Sequence, residues 1–379
     1  MDKVYLPHAE QFDLMNENLA RIANAISSEI DVSTWAGVQR AVRLGVAPGL
    51  FPIGTQLVVS HGEYGDRVYD VVAHNYFKSV KDKNAYTMTL MAHDLKIKGR
   101  FDMPEAFYYA DAELPAGTYH FTIPEKIGMW NAGTYQFTLR ESLPAGSQLC
   151  ISDTADNLSL TYVNIVSFES PTDTESTYVS GISVGSGGTN LGTFGVELNH
   201  VERVAYGSGN YKESDIRQFL NSSADAGSVW RPQTKFDRIP SWMSSLAGFE
   251  KSIEPDFLAI IGEVVVPCAT NTIYESPDSE TTKGGTYILH DRFYLPSIRE
   301  IVGDIASVID DGSIQFPYYT DAVAVDRIKY GDDGVAAYWW TRSSYKDNPS
   351  IVADVKSDGN TSNHRANSHF GITPICTIV

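Results

Sequence analysis

The chain has 379 residues, 42% hydrophobic and 20% charged, which is ordinary for a globular protein and enough for two or three separately cored domains. Its formal net charge of -18 sets it against phosphate backbones and anionic membrane faces, so no nucleic-acid partner is expected. No apolar run reaches the length of a bilayer span, and no membrane insertion is expected.

The opening residues, MDKVYLPHAEQFDLMNENL, lack an apolar h-region, so the sequence reads as folded in a cytoplasm without a signal peptide. Cys150, Cys268 and Cys376 are odd in number and far apart. They give neither a disulfide framework nor a metal-ligand spacing and read as buried free thiols. The 21 tyrosines suit β-sheet packing, and also a contact surface assembled at low entropic cost.

In chain order, Phe12, Met15, Leu19, Ile22 and Ile26 follow the a/d rhythm of a short coiled coil, or of a helix docked on its own domain. A second helix is expected from Ser33 or Thr34 as N-cap through Trp35, Val38 and Val42 to Gly45. Leu57–Ser60, Val68–Ala73 and Tyr86–Met91 read as strands. Between 107 and 168 the segments LPAGTYHFT, NAGTYQFTL and LPAGSQL echo one another as turns feeding strands. The Ser-, Thr- and Gly-rich stretch ending in GSGGTNLG reads as a linker or long loop.

Beyond it, Ser214 caps a helical pattern through Ile216, Phe219 and Leu220. Leu258–Val266, flanked by Pro255 and Pro267, reads as a buried strand. Ser297 and Glu300 form a capping box with Gly303 as the stop. Ala336–Thr341, Ile351–Lys356 and Gly371–Thr377 complete the strands. The fold class is α+β, divided into an N-terminal oligomerisation or attachment helix (1–32), a β-rich, sandwich-like module (33–170), a linker (171–192) and a C-terminal domain (193–379).

The segment from Tyr338 to Val379 has apolar, strand-like ends enclosing a tract rich in Ser, Asn, Asp, Thr, His and Tyr, residues that hydrogen-bond well and drive folding poorly. With it go GSGNYKESDIRQFLN at 207–221, FYLPSIREIVG at 293–303, WWTRSS at 339–344 and the terminal FGITPICTIV. In this order they resemble the C-type-lectin-fold variable proteins of diversity-generating retroelements, and the wider formylglycine-generating-enzyme-like branch of that fold, over roughly residues 195–379.

The resemblance implies a C-type-lectin-like domain whose adenine-targeted codons accumulate Asn, Asp, Ser, Tyr and His. Tyr345, Asp347, Asn348, Asp354, Lys356, Asp358, Asn360, Ser362, Asn363, His364, Asn367 and Ser368 fit that bias, and Arg365 joins Tyr345 as an anchor. Trp339, Trp340, Val352, Val355, Phe370, Ile372 and Ile375 are expected to hold the backbone beneath them. The implied function is binding of a cell-surface protein or glycan, first as host attachment by a phage tail protein. The implied assembly is a homotrimer docked on other virion or tail proteins. A bacterial surface adhesin and a glycan-degrading tail enzyme are the alternatives, and the location is a virion or a bacterial cell surface.

The calcium-site tripeptides of sugar-binding C-type lectins are missing, Asp347-Asn348-Pro349 being out of pattern. Asp310-Asp311-Gly312 and Asp332-Asp333-Gly334 read as turns. No metal and no cofactor is expected. Neither a zincin, a nucleophile-elbow nor a Walker pattern occurs, and no cation in the sequence beside Cys268 or Cys376 suggests an activated thiol. An enzyme is therefore not expected.

Overall fold

The computed structural model describes residues 29–102, 209–231, 240–270, 285–346 and 351–379, with strand backbones and a few loop positions between 103 and 208. The helix expected within 10–27 lies outside the described residues, as do Asp347 and Asn348. Helices and mostly antiparallel sheets make this an α+β protein. Among the described residues no helix is long and apolar enough to cross a membrane.

Helix α1 (Trp35–Arg43) starts where the Thr34 hydroxyl accepts the Gly37 amide at 3.1 Å and buries Val38, Ala41 and Val42 on one face. It ends at Gly45, whose φ of +72° suits glycine alone. After α2 (Ala47–Leu50), β1 (Gln56–Ser60) and β2 (Asp66–His74) form a hairpin, and β3 (Met88–Ala92) pairs with β2. β4 (Ile97–Arg100) departs for a different sheet.

Eight strands follow: β5 (Tyr108–Tyr109), β6 (Gly117–Ile123), β7 (Gly133–Leu139), β8 (Gln148–Ile151), β9 (Val163–Val166), β10 (Thr177–Val179), β11 (Ser183–Val184) and β12 (Thr189–Thr193). They form two four-stranded sheets, ordered β10-β9-β8-β5 and β11-β7-β6-β12. The first two echoing segments are each other's partners, Gly117 opposite Leu139 and Ile123 opposite Gly133. The stretch 171–192, expected as linker or loop, instead holds β10, β11 and the start of β12. Its Ser, Thr and Gly content disguises segments that gain strand pairing from β9, β7 and β6.

Next come α3 (Asp215–Leu220), α4 (Phe249–Ser252), α5 (Pro255–Ile260), β13 (Val264–Thr270), β14 (Gly285–Asp291), β15 (Phe293–Tyr294) and α6 (Ile298–Val302). The apolar run Leu258–Val266 is therefore not one strand. Pro255 sits in the first turn of α5, where a missing N–H leaves no bond unmade, and Pro267 lies inside β13 opposite Ile288. The last elements are β16 (Lys329–Tyr330), β17 (Ala336–Ala337), β18 (Trp339–Ser344), β19 (Ile351–Val355), β20 (Thr361–Arg365), β21 (His369–Ile372) and β22 (Ile375–Ile378). The expected final strand Gly371–Thr377 is thus two, separated at Thr373-Pro374 and assigned to different sheets.

Two five-stranded sheets organise the molecule, ordered β1-β2-β3-β22-β15 and β20-β19-β18-β21-β4. Each takes strands from both sides of the β5–β12 segment, so the division into 33–170 and 193–379 separates strands that hydrogen bonding joins. Side chains reinforce this. Gln39 of α1 donates to the Val379 carbonyl at 2.8 Å, Trp340 Nε1 donates to the Gly99 carbonyl at 3.0 Å, and Trp35 Nε1 donates to Glu254 at 2.9 Å. The core includes Tyr69, Phe101, Tyr211, Tyr294, Trp339 and Trp340, all completely buried.

Candidate ligand-binding surface

The motifs singled out in the sequence lock onto one another. Arg342 of β18 donates to both carboxylate oxygens of Glu300 in α6, at 2.8 and 2.6 Å, and also to the carbonyls of Pro267 and Leu295 and to Ser313 Oγ. Glu300 Oε2 in turn accepts the Ser297 amide, closing the capping box, and Ser343 Oγ accepts the Ile298 amide at 2.9 Å. In the Ser214 helix, Arg217 grips Asp291, and the Asn221 side chain bonds the backbone at Arg217, Arg292 and Phe293. These residues make a rigid base under β18.

On that base, β19 and β20 form the margin of the second sheet, with β20 as its edge strand. The expected frame residues Trp339, Trp340, Val352, Val355, Ile372 and Ile375 are completely buried. Phe370 is only half-buried, packed edge-on to His364. Asp358, Asn360 and Asn363 are exposed, whereas Tyr345, Lys356, Ser362, His364, Arg365, Asn367 and Ser368 are half-buried.

Strand alternation distributes these side chains. The register sets Val352 opposite His364 and Asp354 opposite Ser362 on one face, with Ile351 opposite Arg365 and Ala353 opposite Asn363 on the other. The tract is not one flat patch on one face. Because β20 is an edge strand, both sets flank a single sheet margin. The polar composition had concealed that Thr361–Arg365 is a strand, and with it the alternation.

Asp354 departs from the expectation of an outward contact, for it is completely buried. Its Oδ2 lies 2.8 Å from His364 Nδ1, while Oδ1 has no hydrogen-bond partner among the described residues. Burial pushes its carboxyl up to about 6, against the opposing pull of His364 and Lys356. Tyr338 stacks on Phe370 with centroids 5.0 Å apart, and both meet the His364 ring at 89°. Tyr338 and Phe370, expected at the two apolar ends that enclose the tract, are thereby brought together at its histidine.

Elsewhere, a cleft of about 530 Å³ is lined by Tyr76, Phe77, Val265, Pro267, Ile288 and Ile314 among others, and one of about 430 Å³ by Gln218, Asn221 and Ser222 among others. Neither is lined by a described residue of the tract. The Asp310 and Asp311 carboxylates accept backbone amides at Gly312 and Ser313, and Asp333 accepts that of Val335. Among the described residues no group of three or more His, Cys, Asp or Glu could hold a metal ion. Cys268 and Cys376 are buried free thiols, and burial pushes Cys268 up to about 12, opposite to the shift a nucleophile needs.

Residues 182–379, more than half of the chain, match the family described as Domain of unknown function (DUF6273). The chain belongs to that family. No curated protein and no solved structure matches it. The DUF6273 match takes in the Ser214 helix, the Arg342–Glu300 lock and every residue of the polar tract. β1 to β4 lie outside the DUF6273 match and still supply four strands to its two sheets.

Proposed function

We propose that the chain is a recognition protein that binds a cell-surface protein or glycan through the margin formed by β19 and β20 and the adjoining Tyr345, in the manner of a C-type-lectin-like variable domain on a phage tail. One observation carries this reading. The margin displays exposed and half-exposed polar side chains over a closed core, and the hydrogen bonds that hold the base are made by other residues. Positions at the surface, outside that buried lock, are the ones that tolerate replacement. Tyr345 and Arg365 supply anchoring area, and Asn360, Asn363, Asn367 and Ser368 supply adaptable hydrogen bonds. One such margin binds weakly, and self-association through residues 10–27 into a trimer multiplies it by avidity.

The test is the paired substitution Tyr345→Ala with Asn363→Ala in the full chain. It should abolish binding to intact target cells and leave unfolding free energy within about 1 kcal/mol of the parent. Retained cell binding sinks the reading. So does a large loss of stability, which would make these residues part of the core.

A further inference from the structure

Asp354 presents a physical problem. It is a completely buried carboxylate in β19, where neighbouring Val352 and Val355 are plain aliphatics, and its hydrogen-bond partner is a half-exposed histidine on the edge strand. Among the described residues its other oxygen has no hydrogen-bond partner. Removing a carboxylate from water costs several kcal/mol, and one hydrogen bond to a surface imidazole does not offset that. What the carboxylate does accomplish is orientation. An ionised carboxylate only accepts, so Nδ1 of His364 carries the hydrogen and Nε2 is left as an outward acceptor, with the ring plane held by Tyr338 and Phe370.

We infer, on the reading that this margin binds a ligand, that Asp354 and His364 form a proton-dependent receptor for an anionic oxygen, a carboxylate or sulfate carried on a glycan. With the proton absent, the pair is negative and shows a lone pair, which repels an anion. When it is taken up, the pair is neutral and Nε2–H donates. Lys356, whose charge acts on Asp354, adds positive potential from the end of β19, with Asp358 3.2 Å from its ammonium. Arg100 and His369 are paired across β4 and β21, and the Tyr338 ring lies against the imidazole. The raised Asp354 carboxyl places proton uptake in the mildly acidic range.

The full chain is applied to immobilised neutral, carboxylate-bearing and sulfated oligosaccharides at about pH 5 and about pH 7.5. Acidic oligosaccharides should be held about tenfold more tightly at the lower pH. His364→Gln and Asp354→Asn should each remove that dependence. Equal binding at both pH values overturns the proton link, as does a His364→Gln chain that keeps the dependence. Capture of neutral sugars as tightly as acidic ones, or of no sugar, overturns the ligand class. Loss of cell binding in the Tyr345→Ala, Asn363→Ala chain would still uphold the margin in each of those cases, whereas its retention would remove the margin itself.

Discussion

Arg342 and Glu300 are both completely buried, and their planar groups meet in parallel at 2.6 and 2.8 Å. All five N–H groups of the guanidinium have acceptors once Pro267, Leu295 and Ser313 are included. A buried ion pair contributes little net stability, but an orphaned half of one is expensive. Arg342→Met should therefore lose about 3–5 kcal/mol in urea unfolding, and Arg342→Met with Glu300→Leu should lose clearly less. Equal losses would mean that the pair's geometry, and not its charge balance, sets the cost.

Asp354 should be a stability liability at neutral pH. Its carboxyl is raised to about 6 in the folded protein from an ordinary value near 3.8, so the folded state binds the proton more tightly than the unfolded state. Stability from this group is complete at low pH and declines as pH rises through that interval. Asp354→Asn is expected to gain about 1–2 kcal/mol at pH 7 and nothing below about pH 4, checked by urea titrations at both.

His93 works in the opposite sense to a liability. Its Nδ1 lies 2.8 Å from Asp70, and that hydrogen bond raises its pKa above the ordinary value. The stabilisation is complete below about pH 6.5, the unfolded value, and fades as pH climbs through the raised folded value. The melting temperature of the parent should exceed that of His93→Gln at about pH 6, and the gap should narrow by about pH 8.

Gly359 turns β19 into β20 with φ +79°, and a Cβ there would lie 1.6 Å from the Ala324 carbonyl oxygen. Gly334 has φ +70° and open space. Gly334→Ala should cost about 1–2 kcal/mol, the left-handed penalty alone, and Gly359→Ala considerably more, with loss of ligand binding as the hairpin shifts. Similar costs by thermal unfolding would show that the turn gives way easily.

Cys268 and Cys376 should be silent toward a thiol reagent in native buffer at pH 8 in a Cys150→Ser background, because burial raises both pKa values. Labelling should occur only at the unfolding rate. Fast labelling would place at least one sulfur at the surface.

Local signals in the sequence are strong where one residue's chemistry suffices. Ser214 and Ser297 cap helices as expected, Thr34 is the cap of the two residues the sequence offered, and Gly45 and Gly303 end two of these helices with positive φ. What could not be read was set by distant partners. β4 and β22 join strands far away in sequence, and nothing local distinguishes such pairings. The polar tract was legible as surface, yet Asp354 was not legible as buried, because a carboxylate's burial depends on a histidine ten residues on and on the sheet beneath it. Pro255 misled for a similar reason: a proline marks either a break or a helix's first turn, and packing chooses.

The place of β22 beside β3 also has a kinetic meaning. As the chain leaves the ribosome at roughly 5–20 residues per second, the edge of β3 stays bare for roughly 15–60 seconds until residues 375–378 emerge. Nascent copies translated side by side on one messenger would then offer each other the same unfilled edge. Chaperone capture of the segment 56–92 during synthesis should decide how much protein reaches the native state.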